Sequence, residues 1–261
     1  MNQVQKSAAN PELRAGAVAI VRLLRDAGHE SFWAGGCVRD MLLGKTPADY
    51  DIATSALPDQ IVALFDRCVE VGKAFGVIQV LWENFQYDVA TFRAEGSYSD
   101  GRRPDHVEWA NAREDVIRRD FSINGLLYDP VEDQVIDFVG GEDDLRKGVI
   151  RAIGVPSERF GEDALRILRA LRFSARLGFD IAPETWNAIA EAVPTITKIS
   201  AERIRYELER LLEEGGAFDG LGMLRELGLW KLVLPEISSP DEAISRFGDR
   251  MTLSKVVAWS R

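Results

Sequence analysis

The sequence predicts an α+β fold, in which a small head with a mixed or antiparallel sheet precedes an all-helical neck and part of a helical body. Three observations predict it. Short apolar runs of strand length crowd the region before Gly154, long helical periodicities dominate after it, and glycines and prolines punctuate the boundaries. Strands first and helices afterwards is the order of an α+β architecture. The 261 residues suffice for one larger domain and a smaller helical one. The expected segments are 1–153 for the head, 154–215 for the neck and 216–261 for the start of the body.

Each element follows from local chemistry. From Pro11 to Ala27, Leu13, Ala17, Ile20, Val21 and Leu24 recur at helical spacing, and Gly28 ends that helix. Ser31 to Ala34 reads as a strand running into Gly35-Gly36, and Cys37 to Leu43 as a short helix closed by Gly44. A strand follows around Tyr50 to Ala53, and Pro58 opens a helix through Phe65. Val77 to Trp82 and Phe85 to Phe92 form a hairpin about Glu83-Asn84, whereas Ala94 to Asp105 cannot pack and reads as a mobile loop. Gly125 to Tyr128 and Gln134 to Phe138 form a second strand pair, turning at Asp129-Pro130. Helices are expected over Phe160–Leu177, Pro183–Val193, Ala201–Leu212 and Phe218–Leu227. Met251 to Arg261 reads as an uncapped helix opening, so a chain stopping mid-domain is expected.

Composition removes several function classes. Apolar residues at 46% and charged ones at 28% are ordinary for a folded domain. No apolar run approaches the ~20 residues of a membrane span, and the polar stretch Met1 to Glu12 is no secretory signal. A cytoplasmic protein without a membrane partner is expected; oligomeric state is not legible. Cys37 and Cys68 are the only cysteines and His29 and His106 the only histidines, which makes neither a zinc site nor a nucleophile pattern. Chemistry must rest on carboxylates, arginines and a metal. The net charge of −10 disfavours a nucleic-acid partner unless a local basic stripe exists.

The densest signal is Gly35-Gly36-Cys37-Val38-Arg39-Asp40 followed by Asp49-Tyr50-Asp51. Strand residues i and i+2 share a face, so Asp49 and Asp51 project side by side. Two such carboxylates repel unless a cation lies between them, and Mg²⁺ suits a site whose other ligands are waters and substrate phosphates. The glycine pair lets backbone approach a triphosphate, with its N–H groups facing the phosphates. Asp-x-Asp alone fits a solvated turn and Gly-Gly alone fits any turn; the combination points to a site. Asp88, within the strand Gln86 to Phe92, could reach the same metal from a neighbouring strand.

This constellation resembles the first signature of the class II tRNA nucleotidyltransferases and bacterial poly(A) polymerases, of the DNA polymerase β-like superfamily. The resemblance implies that Asp49 and Asp51 bind catalytic metal while Gly36 and Arg39 contact the nucleotide triphosphate. Arg118 to Asn124 is similar to the family's second signature, with Ser122 and Gly125 in place of the usual Thr and Ala. It implies that Arg119, Asp120 and Asn124 hold sugar and phosphates.

A third segment supplies the basic stripe. On a continuous helix Arg166, Arg169, Arg172 and Arg176 fall within a band of about 120°, opposite Ala164, Ile167, Leu168, Leu171 and Ala175. Asp163 and Arg166, three residues apart, would be surface neighbours. A carboxylate accepts from an exocyclic amine and a guanidinium donates to a ring nitrogen or carbonyl, so the pair suits cytosine and adenine and rejects uracil and guanine. In the family the corresponding Asp and Arg read the incoming base. Arg169 and Arg172 are expected on the triphosphate or the primer end, while Ser200 to Leu212 is expected to support the helix by packing.

The expectation is therefore a template-independent enzyme that adds C and A to the tRNA 3′ end from CTP and ATP and releases pyrophosphate. The implied reaction follows a two-ion pattern, with the RNA 3′-hydroxyl activated at one ion and pyrophosphate leaving at the other. Addition of the terminal A alone, poly(A) synthesis, and an inactive RNA-binding relative are the competing readings. The segment Phe92 to Pro104 resembles the flexible loop that accompanies A addition, which disfavours an enzyme adding only C. The resemblance spans Gly28 to Leu212; further body and tail helices of the family are absent, so a fragment is expected.

Overall fold

The computed structural model describes residues 10–70, 72–94 and 108–235. They fall into two units, with the division between Leu145 and Arg146.

The first unit is built on a seven-stranded sheet in the order β3-β4-β5-β2-β1-β6-β7. Its strands are β1 (Ser31–Ala34), β2 (Ile52–Thr54), β3 (Cys68–Val69), β4 (Val77–Trp82), β5 (Phe85–Thr91), β6 (Leu126–Asp129) and β7 (Gln134–Asp137). The sheet is mixed because β2 and β5 run parallel, with Ile52 opposite Val89, while the other pairs are antiparallel. Helix α1 (Pro11–Asp26) begins at Asn10, whose side chain accepts from the Glu12 and Leu13 amides, a cap worth ~1 kcal/mol. Its buried stripe of Ala17, Ile20, Val21 and Leu24 is the one the heptad-like spacing predicts.

Strand alternation distributes side chains between the two faces of the sheet. Trp33 stacks on Tyr128 and meets Tyr50 at a tilt, with Arg14 of α1 over its ring. Phe32 and Ala34 point the other way, joining Ala53, Phe92 and Leu127 against Ala112 and Val116 of α4 (Ala112–Ile117). Helices α2 (Gly36–Leu42) and α3 (Pro58–Leu64) belong to the same unit, and the division falls within α5 (Gly141–Lys147).

The second unit contains α6 (Pro156–Glu162), α7 (Leu165–Leu177), α8 (Pro183–Ala192), α9 (Ala201–Glu213), α10 (Ala217–Glu226) and α11 (Trp230–Val233). Among the described residues it is helical apart from turns, connecting loops and the two-residue strands β8 (Val149–Ile150) and β9 (Asp180–Ile181), which pair in parallel. Helix α6 packs on α8, and α7 packs on α9 and α10. Phe160, Ile167, Leu168, Leu171, Ile189, Leu208, Leu211 and Leu224 are buried in this unit.

One expectation changes. The helix expected over Phe160–Leu177 is two helices, because Asp163 adopts extended backbone (φ −144°, ψ 102°) at the end of α6 and its Oδ1 accepts from the Leu165 amide two residues on, a side-chain turn that separates α6 from α7. A side chain that satisfies a helix-start amide competes with continuing the helix through its own position. Helices α4 and α5, short and polar-flanked, went unread. The loop residues 95–105 and the stretch 251–261 lie outside the described residues. No helix among the described residues is long and apolar enough to cross a membrane.

Candidate active site

The site forms at the end of the sheet where β1 leaves and β2 enters. Backbone geometry sets it first. After Ala34 the chain turns through Gly35, whose φ of 71° and ψ of −122° lie in a region L side chains avoid. A Cβ there would stand 3.1 Å from the Arg119 Nη1. The Gly35 amide donates to the Leu126 carbonyl at 3.1 Å, which ties the turn to β6. Helix α2 then starts at Gly36, with only a 3.7 Å approach to Arg39 Nη2 where its side chain would be.

Arg39 is 3% exposed, and its guanidinium is fully engaged on one edge. Nε and Nη2 donate to Asp40 Oδ1 at 2.8 and 2.7 Å, and Nη1 donates to Asn124 Oδ1 at 2.7 Å. Asn124 Nδ2 in turn donates to Asp120 Oδ1 at 3.1 Å. The turn that carries Asn124 is held from behind. Ser122 Oγ donates to Asp144 Oδ2 at 2.6 Å, and Gly141 sits so close that a Cβ would meet the Ser122 carbonyl at 2.2 Å. The structure therefore brings Gly35, Gly36, Arg39, Arg119, Asp120 and Asn124 into one constellation, although they come from segments some eighty residues apart.

Asp49 and Asp51 lie on the extended approach to β2 rather than within it. The alternation still holds, since Asp49 and Asp51 are exposed while Tyr50 and Ile52 are buried. Tyr50 packs at a tilt against Trp33, which turns both carboxylates to the opposite side. Continuing the β2–β5 register by one residue sets Asp51 beside Asp88, whose Oδ1 accepts from Gln79 Nε2 at 3.2 Å. The crowding is electrostatically visible. Thinned hydration in the cleft raises the Asp51 carboxyl to about 6, Asp49 and Asp88 push in the same direction, and Arg119 opposes them. Cys37, buried behind the turn with its Sγ donating to the Ala34 carbonyl at 3.3 Å, is pushed up to about 12 by burial and the neighbouring Asp51. It stays a thiol.

Among the described residues no three Asp, Glu, His or Cys side chains stand at metal-holding geometry. An Asp51 carboxyl whose proton affinity is raised beside the Asp49 charge fits a cation that completes its shell with phosphate and water, the habit of Mg²⁺. Asp88 is thus near enough to act electrostatically on Asp51 without forming a three-carboxylate cage.

One residue escaped the sequence reading. Asp115 of α4 is 2% exposed, and its carboxylate accepts from both Arg118 and Arg119. Burial alone would raise its pKa, but Arg119 and Arg118 outweigh that and hold it below the usual range. The signal was present: an acid three and four residues before two arginines is helix-face spacing.

Asp163, Arg166, Arg169 and Arg172 belong to the second unit, and here the open basic stripe needs correction. The break before α7 removes Asp163 from the helix, so Asp163 and Arg166 are not neighbours on one helical surface. Asp163 Oδ2 pairs with Arg203 at 2.7 Å, and Arg166 Nη1 donates to Glu162 Oε2 at 2.6 Å and to the Arg159 carbonyl at 2.9 Å. Arg172 is 1% exposed; its Nε donates to Glu207 Oε2 at 2.8 Å and its Nη1 to Glu214 Oε2 at 3.1 Å. It is therefore a buried ion-pair member against α9 and not a free phosphate ligand. Arg169 is half-buried, with Nη1 3.6 Å from Glu207 Oε1 and its guanidinium over Phe173. Nine of the ten residues from Leu165 to Ser174 are buried, all but Arg169, because α7 is covered on several sides. A helical wheel sees charge but not what covers it.

Comparison with known proteins adds an independent line. Residues 31–151 match the family described as the poly A polymerase head domain, and residues 178–239 the one described as a probable RNA- and SrmB-binding site of polymerase A. The chain is 42% identical over 246 residues to the CCA-adding enzyme of Leuconostoc mesenteroides, an alignment covering 94% of this chain and 61% of that one. It is 44% identical over 216 residues to the CCA-adding enzyme of Bacillus subtilis, covering 82% and 54%. Among solved structures, the Bacillus stearothermophilus CCA-adding enzyme in complex with CTP gives a TM-score of 0.81 at 36% identity, covering 90% of this chain and 57% of that one. The Thermotoga maritima CCA-adding enzyme complexed with tRNA gives 0.74 at 25% identity, covering 90% and 56%. The chain thus spans between 54% and 61% of the length of these two curated relatives.

Proposed function

We propose, for a chain whose residues 31–151 belong to the poly A polymerase head-domain family, that it adds C and A nucleotides to the tRNA 3′ end from CTP and ATP and releases pyrophosphate. The observation that carries this reading is the meeting of the Gly35–Gly36 turn, Arg39, Arg119 and Asn124 beside the exposed pair Asp49 and Asp51. Relatives with TM-scores of 0.81 and 0.74 carry CTP and tRNA, and another carries ATP. A cytoplasmic location is part of the same proposal.

In this reading the Gly35–Gly36 backbone approaches the triphosphate and Arg119 lies across it from the β6 side. Arg39 and Asp120 set the orientation of Asn124, which contacts the sugar. Nucleotidyltransferases of this family need a divalent metal, and Mg²⁺ is the cation proposed at Asp49 and Asp51. When bound it supplies Lewis-acid stabilisation of the attacking 3′-hydroxyl and the departing pyrophosphate. The guanidinium of Arg119 offsets charge developing on the transferred phosphoryl group. Asp88 keeps the carboxylate field strong from the neighbouring strand. Asp163 and Arg166 would read the base edge, with Asp163 released from, or sharing, its Arg203 partner; Arg169, half-buried beside Glu207 and Phe173, would reach phosphate by exchanging that partner.

Three tRNA substrates test the proposal, one lacking CCA, one ending in C and one ending in CC, each offered CTP and ATP separately and together with Mg²⁺. Mass spectrometry of the products is expected to show ordered completion of CCA. Growth of A tails without limit would favour poly(A) synthesis, and addition of A only to the CC end would favour a terminal-A enzyme. Asp49→Ala is expected to abolish incorporation by every route, and retained incorporation would remove the metal assignment.

A further inference from the structure

We infer that Asp115 is a positioning residue for nucleotide binding, acting through Arg119; this rests on the nucleotide reading of the Gly35–Gly36 turn. The geometry is a clamp. Asp115 Oδ2 accepts from Arg119 Nη2 at 2.9 Å and Nε at 3.3 Å, and Oδ1 accepts from Arg118 Nη2 at 2.5 Å and Nε at 3.0 Å. The Arg93 amide adds a further donor to Oδ1 at 3.3 Å. One buried carboxylate therefore orders two guanidinium groups and a strand-end amide.

The two arginines have different outlooks. Arg118 spends its Nε on the Arg93 carbonyl as well, at 2.9 Å, which ties it to backbone. Arg119 instead presents Nη1 to the turn, 3.4 Å from the Asn124 carbonyl and 3.1 Å from where a Gly35 side chain would begin. A guanidinium held along its Nε–Nη2 edge by a carboxylate keeps a fixed plane, which leaves its Nη1 edge aimed over the two glycines. That aim costs rotamer entropy when the arginine is untethered, and a pre-ordered donor binds a triphosphate more tightly. The Asp115 carboxylate is taken up by Arg118, Arg119 and the Arg93 amide, so its influence on the site runs through Arg119.

The test is a double-mutant cycle on the whole chain, with CTP and ATP dissociation constants measured calorimetrically in Asp115→Asn, Arg119→Ala and the double variant. Asp115→Asn is expected to weaken CTP and ATP alike by ~10-fold or more, the scale of a charge-assisted hydrogen bond, with KM rising more than kcat falls. The double variant is expected to bind no more weakly than Arg119→Ala, because the two act in series. Tight binding by folded Asp115→Asn, or losses that multiply in the double variant, would overturn the assignment. Should Asp115→Asn fail to fold, Asp115→Glu carries the cycle: a carboxylate moved by one methylene displaces Arg119, so its penalty must vanish when Arg119 is alanine, and a persisting penalty overturns the assignment. If the chain binds nucleotides with this coupling yet extends no tRNA, the CCA reading fails and the clamp stands.

Discussion

Removing Glu207 decides what the buried arginine of α7 is for. Arg172 and Glu207 are 1% and 2% exposed, and the Nε–Oε2 contact is 2.8 Å, so both charges have left water. Burial lowers the Arg172 pKa and Glu207 restores it in part, but a guanidinium stays charged at any working pH. Glu207→Ala strands that charge, and breaking such a pair costs about 3–5 kcal/mol. Glu214 remains 3.1 Å from Nη1, which puts the expectation at the lower end, near 3 kcal/mol. Among the described residues Nη2 already lacks an acceptor, so further compensation must come from rearrangement. With a denaturant slope of roughly 2 kcal/mol/M, 3 kcal/mol lowers the urea midpoint by about 1.5 M. Arg172→Met with Glu207→Met, which removes both charges and keeps volume, should return within about 1 kcal/mol of the parent. Were Arg172 a phosphate ligand merely parked on Glu207, the single variant would keep its midpoint and bind triphosphate more tightly. A midpoint shift below about 0.3 M, roughly 0.6 kcal/mol, together with tighter nucleotide binding would refute the buried-pair account.

Three further outcomes are expected. Gly35→Ala should lose about 1–3 kcal/mol and weaken nucleotide binding, because the new Cβ meets a glycine-only backbone and Arg119 Nη1 at 3.1 Å; Gly44→Ala, also at positive φ but with nothing within 4 Å, should lose only about 1 kcal/mol and leave binding intact, and equal effects would be inconsistent with a built turn. Asp51 holds its proton up to about pH 6, so divalent-cation affinity measured by titration should be flat above that pH and fall with acidification through it, as protonation competes with the cation. Asp88→Asn should move that threshold to lower pH by removing a like charge, and an unchanged profile from pH 7 to 5 in the parent chain would contradict the carboxylate pair. Asp163→Ala should lower the preference for CTP and ATP over UTP and GTP by roughly 10- to 100-fold in incorporation assays, and unchanged ratios would remove the base-reading assignment.

Particular residues mark how much was legible. Strands β1, β4 and β5 could be placed from alternation and punctuation alone, and the exposed Asp49 and Asp51 followed from the same period of two. Helix α7 could be seen but not its true start, since Asp163 satisfies the Leu165 amide instead of joining a helix turn. Helices α4 and α5 are too short for periodicity to emerge, and α4 carries the acid that orders Arg118 and Arg119.

By itself the sequence determined the mixed head, the helical portion after it, and the paired acids beside a glycine turn, because these depend on near neighbours along the chain and on periods of two and 3.6. Only the tertiary structure decided that Asn124 bonds Arg39, that Asp144 holds Ser122, and that Glu207 and Glu214 turn part of an apparent basic stripe inward. Those outcomes depend on which partner covers a charged face, and the free energy of a guanidinium differs greatly between water and a buried carboxylate.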